Sequence, residues 1–267
     1  MTNPAWLRLV ELYQNGLLRL LPAAALERPE LLETPEFREA AWRVASNMVQ
    51  GVAKANATSW RQAAMKSTNA RRIYLGLQRE IAEGKLGPEL HQLAVRNAQL
   101  ISILPGDIAR RITAHAEVLT QRGARPEEIA RELRRVVPTM AKSRMRLIAR
   151  TEVSRAETDL TRLRSQRIGI EWYQWSSSRD QRVRPSHRNM DQVLVAWDDA
   201  PQPEELIGQR STLGYGHAGQ FPNCRCDCLP VADLDEIRWP ARAYSNGRIV
   251  RMSRAQFMRL SGLEMAA

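Results

Sequence analysis

Long apolar runs are missing from this chain of 267 residues. No uninterrupted stretch approaches the roughly 18 to 20 residues that a membrane span needs, so no membrane partner is expected. Met1 to Val10 holds Pro4 and Arg8 but no basic segment ahead of an apolar core, which argues against a secretory signal. Cysteine is scarce: three residues, Cys224, Cys226 and Cys228, all at alternating positions. An odd, crowded set is a poor disulfide framework, so the expectation is a soluble protein made in a reducing cytoplasm. Also absent are a Gly-rich phosphate loop, a Gly-x-Ser-x-Gly elbow and a His-Glu-x-x-His pair, which removes the commonest nucleotide, esterase and zinc-protease readings. Acidic residues are outnumbered, 29 against 40 basic, for a net charge of +11. Such a balance suits contact with a polyanion such as double-stranded DNA, without sequence recognition, because each Lys or Arg that neutralises a phosphate releases counterions.

What is present begins with helical periodicity. Hydrophobic residues make up 43% of the chain, enough for a real core. Trp6, Leu9, Val10, Tyr13, Leu17 and Leu20 mark a first amphipathic helix stopped by Pro22, and Pro29 to Pro35 reads as a connector. Phe37 to Ala55 marks a second helix behind Thr34-Pro35-Glu36, and Trp60 to Ile81 a third, broken by Gly84 and Gly87-Pro88. A fourth, from Glu89 to Leu104, should end at Pro105-Gly106, and a fifth, with Ile108, Ile112, His115 and Leu119, at Gly123. Pro126 opens a short sixth that Pro138 closes. From Thr139 a longer helix carries Met145, Ala149, Val153, Ala156, Leu160 and Leu163, and Gly169 ends it.

After Gly169 the period changes from 3.6 to 2. Ile170, Trp172 and Gln174 would face one way and Glu171, Tyr173 and Trp175 the other. Val193 to Trp197 is a second strand candidate and Cys224 to Val231 a third, separated by a polar loop from Asp198 to Pro222. The expected fold class is α+β: a predominantly helical domain over 1–138, a small α+β domain with a short antiparallel sheet and a long leading helix over 139–238, and a basic tail over 239–267.

Between Arg96 and Gly169 sixteen basic residues meet eight acidic ones. Arg134, Arg135, Lys142 and Arg144 crowd around Pro138, forming either a solvated face or a surface for DNA or a partner. The segment after Ser176-Ser177-Ser178 places Asp180, Arg182, Arg184 and His187 within eight positions, with Pro185 biasing Arg184 to extended backbone. A carboxylate, two guanidinium groups and an imidazole so close form a structural network or a phosphate contact. Asp180 and His187 are assigned to holding the loop, and Arg182, Arg184 and Arg225 to partner or DNA contacts. Catalysis has little support, since no second acidic pair or activated nucleophile stands beside the histidine.

The cysteines, with His187 and His217, invite a zinc reading. On a strand, alternate Cα atoms stand about 6.6 Å apart, whereas tetrahedral zinc needs its sulfurs about 3.8 Å apart. All three thiols therefore should not converge, and the main expectation is no cofactor, with the cysteines as buried packing residues. A site using Cys224 and Cys226 with His187 or His217 is the alternative. A zinc deaminase would need His-x-Glu and Pro-Cys-x-x-Cys, neither of which is here. His187-Arg188-Asn189 has the letters of an HNH-like metal-dependent nuclease without evident acidic ligands, which keeps a nucleic-acid enzyme as the runner-up.

Arg150-Thr151-Glu152 on the long helix, Gly169 with Trp172 and Trp175, Asp180-x-Arg182-x-Arg184-x-x-His187, and Pro222-Asn223-Cys224-Arg225-Cys226, in that order, resemble the phage Mu F-like head morphogenesis family. The resemblance covers Lys142 to Val231; Cys228 is an extra thiol, and Gln192 stands where a glycine is more usual. It implies a minor capsid protein of a tailed bacteriophage, not an enzyme. Such a protein sits in the virion, inside the capsid at the portal vertex, with the portal protein, major capsid or scaffold proteins and packaged DNA as partners. It further implies that Arg150 and Glu152 belong with Asp180 and His187 to a structural network, and it leaves no room for a toxin domain after Trp239.

Overall fold

The computed structural model describes residues 4–21, 34–65, 70–83 and 86–262. The expected stops at Pro22 and Gly84, and the connector up to residue 33, lie outside them. The chain divides into two compact units. One comprises Asn3–Val52 and Lys85–Val153; the other comprises Met1–Thr2, Ala53–Gly84 and Ser154–Ala267.

The first unit is helical. Helix α1 (Pro4–Leu20) buries Trp6, Val10, Tyr13 and Leu17, one stripe at steps of four, three and four. Helix α2 (Pro35–Ala64) starts where Thr34 Oγ1 accepts the Phe37 amide. It runs past Ala55, the last residue marking the second expected helix, through Asn56 to Ser59 and into the start of the third, because that stretch holds no glycine or proline to stop it. Helix α3 (Ala70–Glu83), like α2 from Ala53 onward, belongs to the second unit.

Helix α4 (Gly87–Gln121) and helix α5 (Pro126–Arg167) each run through an internal proline, Pro105 and Pro138, where the sequence suggests a break. An interior proline costs about 3 kcal/mol. In α4 it is offset by packing, since Ile101, Leu104, Pro105 and Ile108 are all buried. In α5 the buried stripe continues beyond Pro138 through Ala141, Met145, Ile148, Ala149 and Val153. The division expected at residue 138 thus falls inside a helix. Gly123, with φ of +81°, ends α4 as anticipated.

The second unit is built on a five-stranded sheet. Gly169, with φ of +70°, closes α5, and the Ile170 amide reaches back to the Ser165 carbonyl. The strands are β1 (Trp172–Ser176), β2 (Val193–Ala196), β3 (Asp227–Pro230), β4 (Ala241–Ser245) and β5 (Arg248–Met252), in the order β3-β1-β2-β4-β5. The sheet is not purely antiparallel: β2 pairs with β4 in parallel, Val193 opposite Arg242. The residues after Trp239, expected as a tail, supply β4, β5 and helix α7 (Arg254–Ser261). Their hairpin turns at Asn246-Gly247, both at positive φ, and Ser253 with Gln256 forms a capping box for α7.

Strand alternation gives the sheet two cores. Tyr173, Trp175, Val193, Val195 and Tyr244 pack with Met190, Trp197, Ala218, Phe221, Cys224 and Cys226. Leu194, Ala241 and Ala243 pack with Ile237 and Phe257, and Trp172 lies 4.9 Å edge-on to Phe257. At the helical end of this unit Trp60, Ile73 and Leu77 cluster with Ile168. A Cβ on Gly76 would lie 2.3 Å from Ile168 Cγ2, so that approach needs glycine. Buried Arg164 pairs there with Glu80 at 2.6 and 2.9 Å and also donates to Asn56 Oδ1, whose amide in turn donates to Thr161 Oγ1.

Candidate functional site

The loop between β1 and β2 is held from within. Asp180 accepts the Arg182 amide at 2.8 Å, as an Asx turn does, and forms a bidentate pair with the Arg225 guanidinium, whose Nη2 lies 2.7 Å from Oδ1. Desolvation works to raise its pKa, but the Arg225 and Arg182 donors outweigh it and hold the carboxyl below its ordinary value. Arg184 donates to the Pro222 carbonyl at 2.8 Å. Two of the three arginines assigned to outside contacts, Arg184 and Arg225, are therefore engaged within the unit, tying the loop to the segment before β3. The Arg182 side chain is exposed.

Pro185 opens helix α6 (Pro185–Asn189), which carries His187 inward to 2% exposure. The imidazole lies edge-on to Trp175 at 5.5 Å and beside Phe221 at 5.0 Å. Its Nδ1 is 3.5 Å from Cys224 Sγ and 3.6 Å from Cys226 Sγ, and these three donor atoms all lie within 4.8 Å of one another. Strand geometry argues only against all three thiols converging and leaves two cysteines with histidine as the alternative; Cys224 and Cys226 converge on His187, and Cys228 is not in the group. The cause of the convergence is that β3 begins only at Asp227, so Cys224 and Cys226 sit on irregular backbone and turn to the same side.

Cys226 donates to Cys224, and with the imidazole this holds the Cys224 thiol well below its usual range despite burial. Cys226, the donor of that bond, is pushed up in return. The Gly219 amide also points at Cys224 Sγ, at 3.4 Å. Cys228 lies on β3, with its sulfur 3.5 Å from the Ala218 carbonyl.

His217 stands apart from this cluster, although the sequence grouped it with the others. Its Nδ1 meets the Tyr173 hydroxyl at 3.2 Å and its ring packs on Trp197, and burial, with the nearby Arg162 charge, lowers its pKa to about 4. Asn189, named in the nuclease alternative, uses its carbonyl to accept from Arg242 at 2.8 Å.

The residues missed in the sequence are those that fix the loop over the cysteines. Thr158 on α5 donates to the Ala218 carbonyl, Arg155 donates to the Gln220 carbonyl, and the Gln220 amide donates to Asp159. Gly219, at φ of +86°, lies so close that a Cβ would stand 2.4 Å from Thr158 Oγ1. Thr158 and Asp159 are buried polar residues in a stretch of α5, 151–160, that is buried on nearly every side, and the four-and-three stripe of apolar residues in the sequence gives no signal for them. Gln192, in the left-handed region at φ of 64°, sits where the resembling pattern favours glycine, and its amide is held by the Trp175 carbonyl at 2.7 Å.

In the helical unit, Glu152 is buried 3.9 Å from Arg96, and Arg150 stacks its guanidinium over Trp6 at 5.8 Å. Both contacts lie in the unit that does not contain Asp180 and His187. Of the basic residues around Pro138, Arg144 pairs with Asp107 at 2.7 Å and Arg135 with Glu132 at 2.7 Å, whereas Arg134 and Lys142 are exposed.

Residues 111–229 match the family described as Phage Mu protein F like protein, which takes in the end of α4, α5, the Asp180 to His187 loop and the cysteines. An uncharacterized protein of Haemophilus influenzae is 28% identical over 171 residues, 64% of this chain and 34% of that protein. An uncharacterized protein of Methanocaldococcus jannaschii is 35% identical over 120 residues, 44% of this chain and 17% of that protein. The matched parts thus span a third or less of these curated relatives. No solved structure matches the chain significantly. No helix among the described residues is long and apolar enough to cross a membrane.

Proposed function

From the phage Mu F-like segment that this chain carries, we propose that it is a minor head protein of a tailed bacteriophage or prophage, acting in head morphogenesis. Within that reading it binds the portal protein at the inner face of the vertex, meets major capsid or scaffold proteins during assembly, and touches packaged DNA without sequence preference. It acts by docking and not by catalysis. The observation that carries the reading is the match over residues 111–229, which takes in the end of α4, the whole of α5, the Asp180 to His187 loop and the cysteines. The net charge of +11 and the exposed Arg134 and Lys142 supply the electrostatics for DNA.

The test is co-purification of the tagged full chain with the portal protein encoded beside it, at low and high salt, with and without nuclease. Retention at high salt after nuclease supports a direct, partly apolar portal contact. Loss under nuclease makes the association DNA-bridged and sinks the portal reading while leaving the basic surface. Nicking of plasmid DNA with added magnesium or manganese would instead favour the nuclease alternative.

A further inference from the structure

We propose that His187, Cys224 and Cys226 form a zinc site that clips α6 to the segment leading into β3. The first ground is distance. With Zn–N near 2.0 Å, Zn–S near 2.3 Å and a tetrahedral angle, nitrogen and sulfur ligands stand about 3.5 Å apart. The observed separations from one and the same nitrogen, Nδ1, are 3.5 and 3.6 Å. In the metal-free protein the Cys226-to-Cys224 hydrogen bond keeps both sulfurs beside the imidazole, and a shared cation takes the place of those thiol protons.

The second ground is the donor set. Two sulfurs and one imidazole select a soft cation; magnesium and calcium take oxygen ligands, and no carboxylate joins this group among the described residues. The third is the Gly219 amide aimed at Cys224 Sγ at 3.4 Å, a donor that favours thiolate over thiol. Only glycine permits that approach, since a side chain there would meet Thr158 Oγ1 and the Ser154 and Cys226 carbonyls. The fourth is burial: all three ligands are at most 4% exposed, where a metal thiolate is shielded from oxidants.

Among the described residues the protein supplies three ligands, which leaves one tetrahedral position. On binding, each ligating thiol gives its proton to solvent and the sulfur lone pair to zinc, with no change of oxidation state. The ion ties together segments that Asp180 with Arg225 and Arg184 with Pro222 already bridge, so its role is structural. The site stands independently of the head-protein reading.

The full chain, expressed in zinc-containing medium and purified without chelator, should hold about one zinc per chain by elemental analysis. Replacement by cobalt should give a thiolate-to-cobalt charge-transfer band. Cys224→Ser, Cys226→Ser and His187→Gln should each lose the metal, and Cys228→Ser and His217→Gln should keep it. Because the ligand variants can fail to fold, the wild-type chain provides a second readout. A chelator should lower its melting temperature reversibly and expose Cys224 and Cys226 to alkylation, with added zinc restoring both. Wild-type protein that binds no zinc and shows no cobalt band, or in which Cys224 and Cys226 are joined as a disulfide, overturns the proposal.

Discussion

Two arginine-rich regions of this chain look alike in sequence and differ in what the fold does with them. In the loop between β1 and β2, Asp180 holds Arg225 and the Pro222 carbonyl holds Arg184, so the guanidinium groups serve as internal cross-links. On α5 around Pro138, Arg131, Arg134, Lys142 and Arg146 are exposed. The difference lies in the acceptors. The loop and the segment before β3 bring a carboxylate and a carbonyl to these arginines, whereas Arg134, Lys142 and Arg146 have basic residues one turn away, at Arg131, Arg146 and Arg150. Clustered arginine therefore says little until its acceptors are located, and the predictions that follow separate cross-linking charge from available charge.

The largest effect is expected at the most buried cross-link. The Arg164 side chain is 4% exposed and pairs with Glu80 while also serving Asn56. Removing one partner leaves an uncompensated buried charge, so Glu80→Ala should cost about 3 to 5 kcal/mol in denaturant unfolding. Replacing Arg164 and Glu80 together by apolar residues of similar volume should recover most of that loss. A double replacement no better than the single one would mean that Asn56 and Thr161 depend on the charge.

Next comes His217, a buried imidazole whose Nδ1 meets the Tyr173 hydroxyl. Its folded pKa of about 4 lies below the ordinary value of about 6.5, so the unfolded chain binds the proton first. Stability is complete above pH 6.5 and falls as pH drops toward 4, by about 3 kcal/mol in all. His217→Gln should flatten that part of the stability–pH curve. An unchanged slope would place the acid sensitivity elsewhere.

These contrasts also show what the sequence could and could not disclose. The α+β class, the stripe on α1 and the helix stop at Gly169 follow from local periodicity and glycine chemistry, and the structure shows all three. The joins across Pro105 and Pro138 were not legible, because whether a proline breaks a helix depends on the packing on either side of it, a tertiary property. The β4–β5 hairpin was legible and overlooked: Asn246-Gly247 between Ala241–Ser245 and Arg248–Met252 is a strong local turn signal, masked by the basic character of the segment. At the site, the convergence of Cys224 and Cys226 on His187 depends on where β3 starts, and a spacing of two cannot settle that.

Within the loop itself, the comparison can be sharpened two residues apart. Arg184→Ala removes a charge-assisted bond to the Pro222 carbonyl and should cost about 1 to 2 kcal/mol. Arg182→Ala keeps the backbone amide that Asp180 uses and should change stability by less than about 0.5 kcal/mol. If only Arg184→Ala lowers incorporation into heads, the effect is on folding of the loop; if Arg182→Ala lowers it with stability intact, the loop presents a docking residue.

The smallest effect on stability, and the one that bears most on function, is expected on α5. Arg134, Lys142 and Arg146 are exposed, and replacing all three by alanine should leave the denaturation midpoint nearly unchanged. If they meet DNA, each lost phosphate contact should reduce the steepness of log affinity against log salt by about 0.9. Binding of the wild-type chain and the triple variant to a duplex of random sequence, across a series of salt concentrations, measures this directly. The control is Arg135→Ala, whose partner Glu132 lies one turn away: it removes a paired charge and exposes a carboxylate in its place. A slope that falls for the triple variant and hardly moves for Arg135→Ala would show that available charge, not total charge, sets the contact with DNA. Equal slopes in wild type and triple variant would leave this face of α5 to solvent or to a protein partner, and the +11 of the whole chain would need another place to act.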